Sequence, residues 1–350
     1  MTTAPNSALE ARVERLHAHG VVDMHFDMLM DLYDKRERTG VLEADYLPEL
    51  EQGGVGILGA AIYIEDKYLP EQALRVALDQ IARLYAEVDQ TTRFAICRTH
   101  AEIVAARAAN KIALVITMEG VEPLGTDLNL PRVFYELGLR SISLTHARRN
   151  MAADGGVFAP SGSSRHGLSD FGRAVVAECR RLGILLDLAH LNPAGVDELL
   201  AESSGPLIIS HTTPRTFYDI ERNSSDEHIR AVGRRGGVVG ANAVLVSPRA
   251  EDSTLDRYAD EIEYLVELAG INGVGIGFDF FEFIYRRWSA AERAELDSRL
   301  SKAHFLPDLS NHGQARNLTR KLIERGFADD QIAQILYGNW MRVFEQVLTG

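Results

Sequence analysis

Five short apolar runs in this chain each end in a residue able to bind a metal ion. VVDMHFD closes on His25 and Asp27, ALVITMEG on Glu119, ILLDLAH on His190, PLIISH on His211 and VGIGFD on Asp279. An apolar run bounded by Gly or polar residues predicts a buried parallel strand. Ligand-type side chains at the carboxyl ends of several such strands are the active-site geometry of a (β/α)8 barrel.

The rest of the chain has the alternation such a barrel needs. Strands are expected near 21–27, 55–63, 112–118, 140–145, 183–189, 207–210, 237–243 and 273–278, eight in all. Helical patterns separate them at 71–90, 129–138, 168–182, 192–203, 226–235 and 255–269. Short buried strands alternating with helices give right-handed βαβ units and a parallel sheet, and eight repeats suit closure better than an open sheet. The loop 147–167 is long, rich in Gly and Ser, and follows the fourth of these strands on the catalytic face, as expected of a lid or substrate-contacting segment. A second insertion, 280–310, carries Trp288, and two or three amphipathic helices within 317–348 are expected to cover the barrel. No linker, low-complexity tract or fixed-period repeat interrupts the chain. Its 350 residues are enough for one large α/β barrel, so a single domain over 1–350 is the simplest organisation.

Composition narrows the class of partner. A net charge of −13, with no basic patch interleaved with aromatics, disfavours nucleic acid and anionic membranes. No apolar run reaches the ~18 residues of a membrane span, and the charged, amphipathic start lacks the apolar stretch of a secretory signal, so a cytoplasmic protein is expected. Cys97 and Cys179 form no close-spaced pair and imply neither a disulfide framework nor a cysteine zinc site. The arginine pairs at 148 and 149, 180 and 181, 234 and 235, and 286 and 287 are expected on solvated faces.

The chemistry can be built position by position. On a strand, His25 and Asp27 are two apart and point to the same side, into the barrel mouth. An imidazole and a carboxylate on one side suit a divalent ion such as Zn²⁺, although a simple hydrogen-bonded His–Asp couple fits the pair equally well. Glu119 would add a carboxylate to an apolar mouth, where a buried acid needs a cation. His190 and His211 end neighbouring strands, so their imidazoles can converge on a second ion. Of the other histidines, His146 falls at a strand end, whereas His17, His19, His100, His166, His228, His304 and His312 lie in helical or loop contexts and are expected at the surface. None of the five lysines (35, 67, 111, 302 and 321) ends a strand, so a lysine-derived bridge between two ions is ruled out and Glu119 is the candidate bridge. Two metals sharing a carboxylate would hold a hydroxide between them and polarise a carbonyl for attack. That chemistry is hydrolysis, and Asp279, next to the first strand on closure, is placed to carry the proton from water to the leaving amine.

These residues resemble the renal (membrane) dipeptidase family of zinc peptidases, in the amidohydrolase-like group of barrels. The resemblance runs from VVDMHFDML through TMEGVEPLGTDLNLPRVFYELGLRSISLTHARRN, GLSDFGRAVVAECRRLGILLDLAHL, IISHTTPR, ERNSSDEHIRAV and GVGIGFDF to YGNWMRVFEQVL. It implies that His25 and Asp27 bind one zinc, that His190 and His211 bind the other, and that Glu119 bridges them. It further implies that His146 contacts the substrate and the developing oxyanion, that Arg222, with Asn223 beside it, meets the substrate's terminal carboxylate, and that Asp279 is the general acid/base. A planar guanidinium fits that role because it binds carboxylates bidentately.

The departures concern the pocket walls. Where the family follows its last-strand Asp with Phe-Asp-Gly, this chain has Asp279-Phe280-Phe281-Glu282, and where the family has Asn-Phe-Tyr it has Asn242-Ala243-Val244. Pocket walls choose between substrates, so these changes bear on substrate identity and not on the reaction. The expectation is a binuclear zinc barrel hydrolase cleaving the amide of a small dipeptide-like substrate, with a homo-oligomer such as a dimer left open. Alternatives are a barrel amidohydrolase acting on another small amide, such as an N-acyl amino acid, or a catalytically silent metal-binding relative. A nucleotide-binding α/β protein is disfavoured, because GGVGILG and GVGIGFD lack the G-x-G-x-x-G pattern that opens a helix.

Overall fold

The computed structural model describes residues 4–159, 166–299 and 304–349. Parts of the expected loop (160–165) and insertion (300–303, with Lys302) lie outside these residues, as do 1–3 and 350. Nine strands are present among the described residues: β1 (Val21–Phe26), β2 (Val55–Tyr63), β3 (Phe94–Ile96), β4 (Ile112–Glu119), β5 (Leu139–Ser143), β6 (Leu185–Asp187), β7 (Ile209–Thr212), β8 (Val239–Ala241) and β9 (Val274–Ile276). Eight of them are the expected strands, all parallel, in the order β6-β5-β4-β2-β1-β9-β8-β7. The two ends of that order meet. Asp187 bridges Ile208 in parallel, with Leu188 N donating to Ile208 O (2.8 Å) and Ile208 N to Leu186 O (3.1 Å), which closes the ring. The additional strand, β3, pairs with Ile112–Leu114 at the start of β4, before β5 takes over from Ile116, and is not part of the ring.

Burial divides along strand parity. On β4, Ile112, Leu114, Ile116 and Met118 join the main core beneath the surrounding helices, whereas Ala113 and Val115 join a second cluster. That second cluster unites Val22 and Met24 of β1, Ile57 of β2 and Leu185 of β6 with Trp340, Met341 and Phe344. Side chains from strands across the ring can meet only inside it, so these residues fill the barrel interior, and the C-terminal helix Asn339–Val347 plugs its lower end. Inward parity then assigns Thr117 and Glu119 to the mouth.

Two irregularities set the site. Between Asp23 and Phe26 the register with β2 advances three residues on β1 against two on β2, and between Ile209 and Thr212 β7 advances three against two on β8. Each is a bulge, which turns a side chain to the other face. Val22 and Met24 point inward and Phe26 outward. His25, which simple alternation would aim outward, therefore faces the mouth, and the bulge on β7 does the same for His211. Gly240 and Gly277 let β7 lie close to β8 and β9, since a Cβ on either would come 1.9 Å from Ser210 O. Helices Asp170–Leu182, Pro193–Glu202, Asp226–Arg234 and Leu255–Ala269 begin with Ser169, Asn192, Ser225 and Thr254, whose side chains accept from backbone N–H groups of the first turn.

Two expectations about the surface are corrected. His17, His228 and His312 are buried, because each has a polar partner opposite it: Gly53 O and Thr319 Oγ1 for His17, Asp197 for His228 and Asp23 for His312. Arg148 is not on a solvated face either; it binds Glu122, Asp66, the Tyr63 hydroxyl and Ile64 O. Cys97 and Cys179 are free and buried.

Candidate active site

The residues singled out in sequence converge at the mouth. Glu119 ends β4 and presents Oε1 to three imidazoles: His190 Nε2 at 2.9 Å, His25 Nε2 at 3.5 Å and His211 Nε2 at 3.6 Å. Asp27 lies one residue beyond β1, at the N-cap of helix Met28–Asp34, and not on the strand; its Oδ1 is still 3.7 Å from His25 Nε2. Asp279 reaches His25 Nε2 at 3.8 Å and His211 Nε2 at 3.9 Å. His190 and His211 face each other, Nε2 to Nε2, at 2.9 Å. His146 stacks on His190 with ring centroids 4.4 Å apart.

Backbone strain is concentrated here. His190 (φ 63°) and Asp279 (φ 61°) are two of the three non-glycine residues with positive φ among the described residues. Such conformations cost on the order of 1–3 kcal/mol each and persist where the surroundings over-determine them. Both project a side chain from the first turn after an apolar run, where a regular strand would carry it past the mouth.

The electrostatics suit metal binding. Burial pushes the pKa values of His190, His211 and His146 well below the ordinary histidine value, with added repulsion from Arg222, His25 and His190 respectively, which favours the neutral imidazole, the form that ligates a metal. Burial alone would lower His25 too, but Glu119, Asp27 and Asp279 around it outweigh this and raise it to about 8. Burial raises both Asp27 and Asp279, reinforced by the charge of Glu119. His25 Nε2, Asp27 Oδ1 and His190 Nδ1 are buried without a hydrogen-bond partner. Buried polar atoms ordinarily have partners. A shared cation would satisfy the first two, and the donor set forms three groups whose ligand atoms all lie within 4.8 Å of one another: His25/Asp27/Glu119, Glu119/His190/His211 and His25/His211/Asp279. The residues present fit divalent ions of the zinc type, with Glu119 common to two groups.

Further side chains support these groups, and apart from that of Tyr63 none of these roles is visible in the sequence alone. Ser210 Oγ lies 2.8 Å from His211 Nδ1, and Asp187 Oδ1 accepts from Ser210 N and Ala189 N, both at 2.9 Å. Asn242 Nδ2 donates to Asp279 Oδ2 at 2.8 Å. Tyr63, register partner of Glu119, packs its ring 4.8 Å from that of His146. Its signal was present, because Tyr63 also ends an apolar run, VGILGAAIY.

Arg222 and Asn223 lie on the loop between β7 and helix Asp226–Arg234, and both are buried. One terminal nitrogen of Arg222 donates to His211 O at 3.1 Å, while Nε has no partner. Asn223 Nδ2 donates to Tyr218 O at 2.8 Å, and its Oδ1 is unpartnered. Residues 155–159 form a strap over this region: Gly156 N donates to His190 O (2.7 Å), Arg222 N to Val157 O (3.0 Å) and Glu221 N to Ala159 O (2.8 Å). No helix among the described residues is long and apolar enough to cross a membrane.

A closed parallel α/β barrel with a mouth of imidazoles and carboxylates in ligand geometry defines a metal-dependent barrel hydrolase. The chain belongs to the membrane dipeptidase family, peptidase family M19, which matches residues 10–291, and is an enzyme of that dipeptidase class. It is 32% identical over 285 residues to an uncharacterized dipeptidase of Schizosaccharomyces pombe, covering 74% of this chain and 68% of the relative. The structure is similar to that of dipeptidase AC, an M19 metallopeptidase, with a TM-score of 0.82, 26% identity and coverage of 95% and 99% of the two chains. It is equally similar (TM-score 0.82, 25% identity, 94% and 99% covered) to a metallopeptidase from Rhodobacter sphaeroides solved with a phosphinate mimic of the dipeptide L-Ala-D-Ala.

Proposed function

We propose that the chain is a binuclear zinc dipeptidase, in which His25, Asp27 and Glu119 hold one ion and Glu119, His190 and His211 the other. The observation that carries this is Glu119 Oε1, a buried carboxylate oxygen within 3.6 Å of three imidazole nitrogens, two on separate strands (β1 and β7) and one on the turn after β6. When bound, the ions would supply an activated water and a polarised carbonyl. The remaining work falls to the chain itself. Asp279, oriented by Asn242, takes a proton from water at its carboxylate and passes it to the leaving amine; burial raises its pKa toward the working range of such a carrier. His146, held between Tyr63 and His190, is placed to donate to the oxygen that gains charge as the amide carbon becomes tetrahedral. Arg222 is a buried guanidinium with a donor to spare, an arrangement that is costly without an anion and suited to the substrate's free carboxylate. Asn223, next to it on the same loop, has a buried Oδ1 without a partner that could accept from a substrate donor.

Elemental analysis of protein purified without chelators, followed by hydrolysis assays on an L,L and L,D dipeptide library, tests this. Two zinc ions per chain and release of free amino acids are expected. One ion or none, or no dipeptide cleaved, would overturn it.

A further inference from the structure

The bulge that turns His25 into the mouth is held by a side chain that faces away from it. Asp23, fully buried, accepts at Oδ1 from two backbone amides: His25 N at 3.3 Å and Phe278 N at 2.8 Å. Strands β1 and β9 share a single register pair, Asp23 with Ile276. Beyond that pair the Asp23 carboxylate takes the place of the ladder. One amide belongs to His25 itself and the other directly precedes Asp279, so this carboxylate ties together the backbone under both groups, which stand 3.8 Å apart in the mouth.

The other oxygen, Asp23 Oδ2, has His312 Nε2 at 2.7 Å, from a residue 289 positions later in the chain. The ring of His312 is itself locked. Phe26 and Phe280 meet it edge-on, with centroids at 4.5 and 5.1 Å and interplanar angles of 90° and 84°, and a Cβ on Gly53 would come 1.8 Å from His312 O. A buried carboxylate that loses one donor either bears the cost of an unsatisfied oxygen or turns toward another donor, and turning withdraws it from the two amides.

We infer that His312 is a positioning residue for the metal centre, acting through Asp23 to fix the separation of His25 and Asp279. This rests on the binuclear reading of the site, in which His25 is a ligand and Asp279 the proton carrier. Hydrogen-bonding partners behind metal ligands typically affect metal affinity or activity by about 10- to 100-fold. An effect of that size is expected here although His312 touches no ligand.

The test compares His312→Leu, which cannot donate, with His312→Gln, which can. A control is His17→Leu, which removes a buried histidine of the same C-terminal packing layer without touching Asp23. Metal-free protein is titrated calorimetrically with Zn²⁺, and kcat and KM are measured well below the melting temperature of every variant. His312→Leu is expected to weaken one of the two Zn²⁺ binding steps and to lower kcat, each by about 10-fold or more, with KM changed less than kcat. His312→Gln is expected to recover most of both, and His17→Leu to lower the melting temperature alone. If His312→Leu does not fold, His312→Asn, too short to reach Asp23, replaces it with the same expectations. Wild-type Zn²⁺ affinity and kcat in the non-donating variant, or equal losses in His17→Leu, would overturn the inference. Wild-type protein that binds no Zn²⁺ would instead overturn the binuclear reading beneath it.

Discussion

Replacing Arg222 with Met keeps the length of the side chain and removes its charge from a place where charge is hard to hold. The guanidinium is buried, its Nε lacks a partner, and burial lowers its pKa although the carboxylates of Asp279 and Glu119 oppose this. A carboxylate docked about 3–4 Å away would interact by roughly 4–5 kcal/mol at an effective dielectric of about 20. Measured costs of removing one partner of such a buried pair fall at about 2–5 kcal/mol, or roughly 30- to several-thousand-fold in kcat/KM. Wild-type enzyme should therefore prefer a free dipeptide over its C-terminal amide by a factor in that range. Arg222→Met should bring the free acid down to the rate of the amide while leaving metal content unchanged, since Arg222 supplies no ligand atom. The assay is amino-acid release from matched acid and amide substrates, with elemental analysis of both proteins. Equal wild-type rates on the two substrates would refute the assignment and make Arg222 a structural partner of His211 O.

Asp279→Asn should retain fold and metals, because Asn tolerates positive φ, yet lower kcat by about 10²- to 10⁴-fold; wild-type turnover would move the proton to another group. Glu119→Gln should reduce occupancy of both ion sites, whereas His190→Asn should empty chiefly one, as read by zinc stoichiometry. Metal-free protein should have a stability maximum near pH 6.5. His25, raised to about 8, adds roughly 2 kcal/mol that is fully present below about pH 6.5 and lost as pH rises through 8. The buried neutral imidazoles of His146, His190 and His211 have depressed pKa values, so stability also falls as pH drops below about 6.5, a loss by three groups that the two raised carboxyls of Asp27 and Asp279 offset only in part. Melting curves of chelated protein from pH 5 to 9 check this, and a flat profile would contradict it. Zn²⁺ competes with the His25 proton, so its affinity should climb with pH up to about 8.

The ring of eight strands was legible because a parallel strand is buried on both faces and leaves an uninterrupted apolar run, and because residues of ligand type sit where several of those runs stop. β3 escaped because its short apolar stretch, Phe94–Cys97, is closed in by Arg93 and Arg98 and ends in no ligand-type residue that would align it with the other strands. The bulges at Asp23/Phe26 and Ile209/Thr212 escaped for a different reason. Counting by twos places His25 and Asp27 on one side of a strand, and they do meet, but through an extra residue in β1 and a helix cap after it. Alternation carries no mark of a register shift that only the neighbouring strand reveals. His312 could not be read at all: a histidine in a loop looks exposed until Asp23 arrives from the opposite end of the chain. Tyr63 was in plain view and passed over because a phenol is seldom a ligand.

Trp340 has a consequence for how this protein is made. Its indole N–H donates to Ile276 O at 3.0 Å, and its ring completes the interior layer begun by Val22 and Met24 of the first strand. The side chains of β1 thus acquire these neighbours only from a helix that is synthesised after every strand of the ring. Until that helix leaves the ribosome the nascent barrel is an open-bottomed cup of apolar strand interiors. Filling of the barrel floor therefore waits for that helix, and apolar surface left open in the interval favours misassembly.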